Sequence, residues 1–239
     1  MSKDNNKHVD RPILITGCAR SGTSIIAGIT KFCGAWGGQM TGATRFNKKG
    51  QFENTEIRNG IVKVALRSAG LDPLGQDPLP DPQTWVIDPA WRNRVVQVIR
   101  TQGYPGGPWF YKGAKMCLFW SQWSDAFPNA RWILVRRDPE DIVSSCLKTG
   151  FMRAYNSREG WMKWVNVHLK RFEEMHLAGL DVVEVWPSKI IAKDYEESME
   201  AMDHIGLGWN QEVIEKFITP RLWSGKKGDT DGKSYSCGS

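Results

Sequence analysis

Eight consecutive residues, Gly17-Cys18-Ala19-Arg20-Ser21-Gly22-Thr23-Ser24, put two glycines, three hydroxyls and one guanidinium into a single short stretch. A glycine-bearing loop can turn its backbone N–H groups toward one point, and those donors, with a helix starting directly behind them, suit the oxygens of a phosphate-like anion. The glycine spacing is that of a Walker A loop. Thr23, however, stands where that loop has its lysine, and the positive charge lies inside the loop at Arg20. Nothing nearby resembles the second carboxylate site with which an NTPase holds magnesium against a polyphosphate. The loop therefore points to an anionic donor handled without metal. The bland alternative is a tight turn from strand to helix with no ligand.

Such a loop needs a strand before it and a helix after it. Residues 12–17, PILITG, are an apolar run ending at glycine, and Ile25, Ile26, Ile29 and Phe32 then recur at helical spacing. A second unit of this kind occupies 131–148. There RWILVRR reads as a strand, Asp138 as an N-cap, Pro139 as the first helical residue, and Ile142, Val143 and Leu147 as the buried stripe. Further strands are predicted at 109–113 and 188–193. Helices are predicted at 54–69, at 88–102 with Asp88 capping, at 117–126, at 157–178, and in two pieces between 196 and 218. Strands alternating with helices predict an α/β fold: a single domain with a central parallel sheet flanked by helices. Its expected extent is 11–223, after a disordered start (1–10) and before a flexible Gly/Ser-rich tail (224–239). Two long loops interrupt the pattern. Residues 34–52 are Gly-rich and basic through Arg45, Lys48 and Lys49, and 70–84 carry Pro73, Pro78, Pro80 and Pro82. Both are candidate lids that shape an acceptor pocket.

The chain has 239 residues, 41% of them hydrophobic, enough for one domain with a full core. No apolar run approaches the ~18 residues that span a bilayer, and residues 1–10 are polar with no signal-peptide core, so a soluble cytoplasmic protein is expected. Five cysteines, odd in number and widely spaced, form no C-x-x-C pair and read as free thiols. The balance of 32 basic against 26 acidic residues, a net +6, suits an anionic ligand. The charges are scattered and not gathered into a stripe, which argues against nucleic acid as partner. Twelve tryptophans are expected mostly to fill the core, with a few available to an aromatic acceptor pocket.

CARSGTS after an apolar strand resembles the signature of sulfotransferases that use 3′-phosphoadenosine 5′-phosphosulfate (PAPS). The resemblance implies that Ala19, Arg20, Ser21, Gly22, Thr23 and Ser24 grip the 5′-phosphosulfate. Arg137-Asp-Pro-Glu-Asp-Ile-Val-Ser-Ser145 is similar to that family's 3′-phosphate segment, in which an arginine closing a strand and a serine eight residues on hold the ribose phosphate. Residues 46–59 resemble the G-x-F-E segment of small microbial members. Lys112 to Lys115 stand where K-D-P-R is common, which leaves the role of Lys115 open, and Ala192 to Glu196, with Tyr195, resemble a late Y-E-D segment. Lys226-Lys227-Gly228 resembles the basic C-terminal loop that closes over PAPS in cytosolic members. Departures are Ala19 for the usual proline and Ser24 for threonine, each keeping the backbone or hydroxyl that the role needs.

The implied reaction is in-line transfer of a sulfuryl group from PAPS to a hydroxyl or amine of a small-molecule or glycan acceptor, leaving adenosine 3′,5′-bisphosphate and requiring no metal. Arg20 would stabilise the transferring group, and a base must take the acceptor's proton. His168, His176 and His204 follow the 3′-phosphate segment and His8 precedes the domain, which leaves Glu53, the glutamate of the G-x-F-E match, as the expected base. The competing account of Glu53 is compensation of a helix macrodipole. Two other functions stay open: a P-loop kinase or NTPase, and a protein that binds PAPS or its product without turnover.

Overall fold

Four short, largely apolar runs set the architecture. The structure, a computed structural model, describes residues 8–45 and 47–223. Strand β1 (Ile13–Gly17) lies at the centre of a parallel sheet of order β2-β1-β3-β4, with β2 at Phe110–Lys112, β3 at Arg131–Val135 and β4 at Asp181–Val185. Ile13 to Gly17 pair in register with Arg131 to Val135, and Ile13 to Ile15 with Phe110 to Lys112. All three of these strands are buried, as parallel strands covered on both faces must be.

Side chains alternate across the sheet. Ile13, Ile15, Phe110, Ile133 and Val135 enter one core, while Leu14, Tyr111, Trp132 and Leu134 enter the other. The first core is covered by α1 (Thr23–Phe32) and by α8 (Glu196–His204) and α9 (Gln211–Phe217) from the end of the domain. The second holds Trp91, Trp109, Trp123, Trp132, Trp161 and Trp164, with Trp36, Trp85 and Trp120 packed against it, so most of the twelve tryptophans serve the core as expected. Its helices are α2 (Lys63–Ser68), α3 (Trp91–Thr101), α4 (Trp120–Ala126), α5 (Pro139–Leu147) and α6 (Arg158–Leu177).

The α/β fold with a parallel sheet flanked by helices is the one expected, and Asp138 caps α5 as its sequence predicts, accepting from Glu140 and Asp141 N–H. One strand needs correction. The run 188–193 is no strand: Pro187–Ile191 is the short helix α7, and the fourth strand is Asp181–Val185. Pro187 lacks an N–H and has φ set for a first helical turn, so it begins a helix where the apolar Ile190 and Ile191 suggested a strand. The true strand is a half-exposed edge, and the charges of Asp181 and Glu184 hide its alternation. The helix expected over 54–69 divides into a π-helical turn, Ile57–Val62, followed by α2. The expected disordered start is described from His8 onward, where a helical turn buries Val9. The expected tail, with Lys227, lies outside the described residues. No helix among the described residues is long and apolar enough to cross a membrane.

Candidate active site

The C-terminal ends of β1 and β3 lie side by side where the strand order reverses, the place at which open α/β sheets take their ligands. Gly17 allows the closeness, since a Cβ there would sit 2.6 Å from the Val135 carbonyl oxygen. The loop turns through Arg20 at φ 74 and Gly22 at φ 99, and α1 starts at Thr23 with no side chain capping it. Its first N–H groups are thus available to an anion.

Two hydrogen bonds lock the two strand-loop-helix units together. Arg20 Nε donates to Ser145 Oγ at 3.0 Å, and Arg137 Nη1 donates to the Arg20 carbonyl at 2.6 Å. Arg137 is 6% exposed, has the Trp223 ring 4.4 Å from its guanidinium carbon, and leaves Nε and Nη2 without a hydrogen bond. Its nearest anion, Asp141, is 3.8 Å away. Burial lowers the pKa of both Arg20 and Arg137, the mark of cations with too little solvent and too few counter-charges.

Glu53 arrives from the other side. Residues 39–41 return antiparallel beside 51–55 through Thr41 N–H to the Glu53 carbonyl (2.9 Å) and Thr55 N–H to the Gln39 carbonyl (3.0 Å). Asn54 then starts the helical run, its Oδ1 accepting from Ile57 N–H at 3.2 Å. Phe52, at φ 51, supplies the left-handed kink that turns Glu53 inward. Glu53 is 7% exposed, with Lys112 Nζ at 3.7 Å, Arg58 Nη1 at 3.8 Å and Lys115 Nζ at 4.0 Å, and its Oε1 has no hydrogen-bond partner. Burial alone would push this carboxyl's pKa up, but Lys112, Lys115, Arg58 and Lys63 together hold it below the ordinary value. The Lys112 pKa moves down through its own burial, with Glu53 opposing.

All of this opens into one cavity of about 530 Å³. Ala19, Arg20, Gly22, Thr23, Ser24 and Arg137 line it, together with Glu53 and Lys115. Ser21 and Ser145 are buried beside it: Ser21 N–H bonds to the Cys18 carbonyl, and Ser145 sits under Arg20. The loop 34–52 reaches the cavity through several residues and 70–84 through Leu74. Tyr195 packs beside Trp209 and does not line it. Nor does any described histidine: His168 is held on the Trp164 carbonyl, its pKa pushed down to about 4 by burial, while His176 and His204 pair with Glu184 and Asp181.

Sequence reasoning missed Arg58, Lys63, Lys112 and Trp223 as cavity residues. Lys112 was the findable one, since it ends a parallel strand next to β1. A cavity with two linked strand-loop-helix turns rich in unpaired donors at one side and a carboxylate among cations at the other has the chemistry to take anionic groups and to present a proton acceptor.

A family model described as the sulfotransferase family matches residues 12–204. Among solved structures, the chain is similar to sulfotransferase STF9 from Mycobacterium avium, with 16% identity, a TM-score of 0.54, and 87% of this chain and 67% of that one covered. It is also similar to the sulfotransferase domain of the Synechococcus PCC 7002 olefin synthase, with 14% identity, a TM-score of 0.51, and 91% and 79% covered. At these identities the structures share the fold. No curated protein matches significantly.

Proposed function

Because the chain belongs to the sulfotransferase family, we propose that it transfers a sulfuryl group from PAPS to a hydroxyl or amine of a small-molecule or glycan acceptor in the cytoplasm. The observation that carries this reading is the pair of bonds joining Arg20 to Ser145 and Arg137 to the Arg20 carbonyl. They bring the two strand-loop-helix units together at adjacent strand ends, an arrangement that supports a nucleotide with phosphates on both its 5′ and 3′ oxygens. The residues fit that ligand: α1 begins uncapped, and the buried Arg137 keeps two donors unused.

In the proposed reaction the bond from sulfur to the 5′-phosphate oxygen breaks and that oxygen keeps the electron pair. A bond from sulfur to the acceptor oxygen or nitrogen forms, and the acceptor's proton passes to the Glu53 carboxylate. Arg20 and the loop amides of Gly22 to Ser24 stabilise the charge on the transferring group and hold it in line. Arg137 and Ser145 hold the 3′-phosphate, and Arg137's planar fork suits its oxygens. Glu53 is ionised at neutral pH and so can accept a proton, while the cations that lower its pKa also make it a weaker base until an arriving anion offsets them. The kinase or NTPase alternative is weakened by Thr23 in the place of the Walker lysine. A protein that only retains the nucleotide would show binding without product.

Isothermal calorimetry with adenosine 3′,5′-bisphosphate, AMP and ATP tests the donor site. The bisphosphate should bind far more tightly than either, and chelation of metal should change nothing; equal affinity for AMP would remove the 3′-phosphate assignment. Transfer of the labelled sulfuryl group from PAPS to members of an acceptor library separates an enzyme from a binder.

A further inference from the structure

The end of the cavity around Glu53 holds more positive charge than the proposed donor accounts for. Among the described residues that line the cavity, Glu53 is the sole carboxylate, yet Arg58, Lys112 and Lys115 lie within 4.0 Å of it and Lys63 lines the same cavity. The donor reading uses Arg20 and Arg137 at the ends of β1 and β3, and the transferring sulfuryl oxygens can employ one further cation. That leaves an excess of at least two charges in a partly enclosed space.

The fold brings this excess together by a specific device. In the π-helical turn Ile57–Val62, Lys63 N–H bonds to the Arg58 carbonyl, five residues back. In an α-helix residues five apart point roughly 140° away from each other. The wider turn brings Arg58 and Lys63 toward one side, and both line the cavity. Like charges held together repel, and the Lys63 pKa is lowered by its partial burial and then by Arg58 and Lys115. An incoming anion relieves that repulsion. The cavity's other contributors include Leu74, Phe151, Met152, Phe217, Ile218 and Leu222, an apolar surface for the remainder of the same molecule.

We propose that the acceptor is an amphipathic anion, bearing a carboxylate or comparable group that seats against Arg58, Lys63 and Lys115, with its nucleophilic hydroxyl or amine at Glu53. This deepens the sulfotransferase reading and rests on it for the identity of the other substrate. Neutral acceptors of the same shape leave the cation cluster uncompensated and bind poorly.

The test uses 4-hydroxyphenylacetate and a series of ω-hydroxyalkanoates, each beside its methyl ester, titrated into protein saturated with adenosine 3′,5′-bisphosphate and into protein without it. Acids should raise the melting temperature and esters should not. Lys63→Gln, at a half-exposed position where folding is not at risk, should weaken the acids about ten- to a hundred-fold, as loss of one charged hydrogen bond does, and leave bisphosphate affinity intact. Lys63→Arg should restore binding. Esters that bind as well as acids, or no acid that binds, overturn the proposal. So does a Lys63→Gln protein that loses the bisphosphate by the same factor, which would give the cluster to the donor. Acids that bind to a wild type indifferent to the bisphosphate would sink the donor reading and keep the anion site.

Discussion

A carboxylate whose three nearest cations stand at 3.7–4.0 Å is stabilised as an anion while one oxygen stays without a hydrogen bond. This changes what Glu53→Gln should do. Sequence alone set two readings apart, a base whose loss stops turnover and a helix-start charge whose loss costs a little stability. Here Glu53 is also the counter-ion of a buried cation cluster, so the substitution should both lower turnover by ~10² to 10⁴ and lower the melting temperature. The two effects come apart in a double variant: Lys112→Met added to Glu53→Gln should recover part of the stability and none of the turnover. Turnover within a few-fold of wild type would make Glu53 a counter-ion only. Arg137→Ala should cost about 1.5 to 3 kcal/mol of bisphosphate binding by calorimetry, the range for hydrogen bonds to a charged group. Normal binding would place the 3′-phosphate elsewhere. Arg20 stood out in the sequence as the charge inside a glycine-bearing loop, and Arg137 and Ser145 through resemblance to a family segment; Arg20 and Arg137 line the cavity and Ser145 is buried against Arg20. Arg58 and Lys63 did not stand out, because their convergence depends on a hydrogen-bonding pattern that side-chain spacing does not encode.

The elements that carry the site are short and depend on backbone geometry that few residues adopt. Gly22 begins α1 at φ 99, and a Cβ there would meet the Pro187 ring at 2.9 Å and the Trp223 ring at 3.0 Å. Gly22→Ala should therefore destabilise the fold by about 1 to 3 kcal/mol through strain and weaken bisphosphate binding, both read from urea melts and calorimetry. An unchanged affinity would mean that this turn does not contact the donor. Strand-loop-helix units announced themselves through periodicity and caps, as at Asp138. The fourth strand did not. An edge strand with Asp181 and Glu184 facing partners such as Arg11 and Arg136 carries the polar residues that protect an edge, and these are the residues that erase an apolar run. The more apolar SKII segment beside it was the stronger decoy, since run length alone does not separate a short helix from a strand.

At the scale of the molecule, the buried charge cluster ties stability to pH. The Glu53 pKa is lowered in the fold, so its ionised form contributes stability that is fully present above the unfolded-state value, about 4.3, and is lost as pH falls through the lower folded value. The stability difference between wild type and Glu53→Gln should stay level from neutral pH to about 5 and shrink below ~4, measured by urea unfolding at each pH. A difference that grows on acidification would reverse the assigned direction of the shift. A parallel sheet between helix layers follows from the alternation of strand and helix patterns and was legible; the strand order, which loop returns over the sheet, and which face the last helix covers depend on contacts far apart in sequence, such as Lys49 Nζ on the Phe217 carbonyl.

A few residues after that helix, the Trp223 ring centre lies 4.4 Å from the Arg137 guanidinium carbon. Indole emission shifts in colour and intensity with the charge beside the ring. If the proposed assignment of Arg137 holds, a phosphate arriving there neutralises that charge, and occupancy of the site should be written into the light of one residue. With the other eleven of the twelve tryptophans as background, the difference spectrum between wild type and Trp223→Phe should isolate a signal that follows each binding and release event in a stopped-flow instrument, on unlabelled protein and before any acceptor has been found.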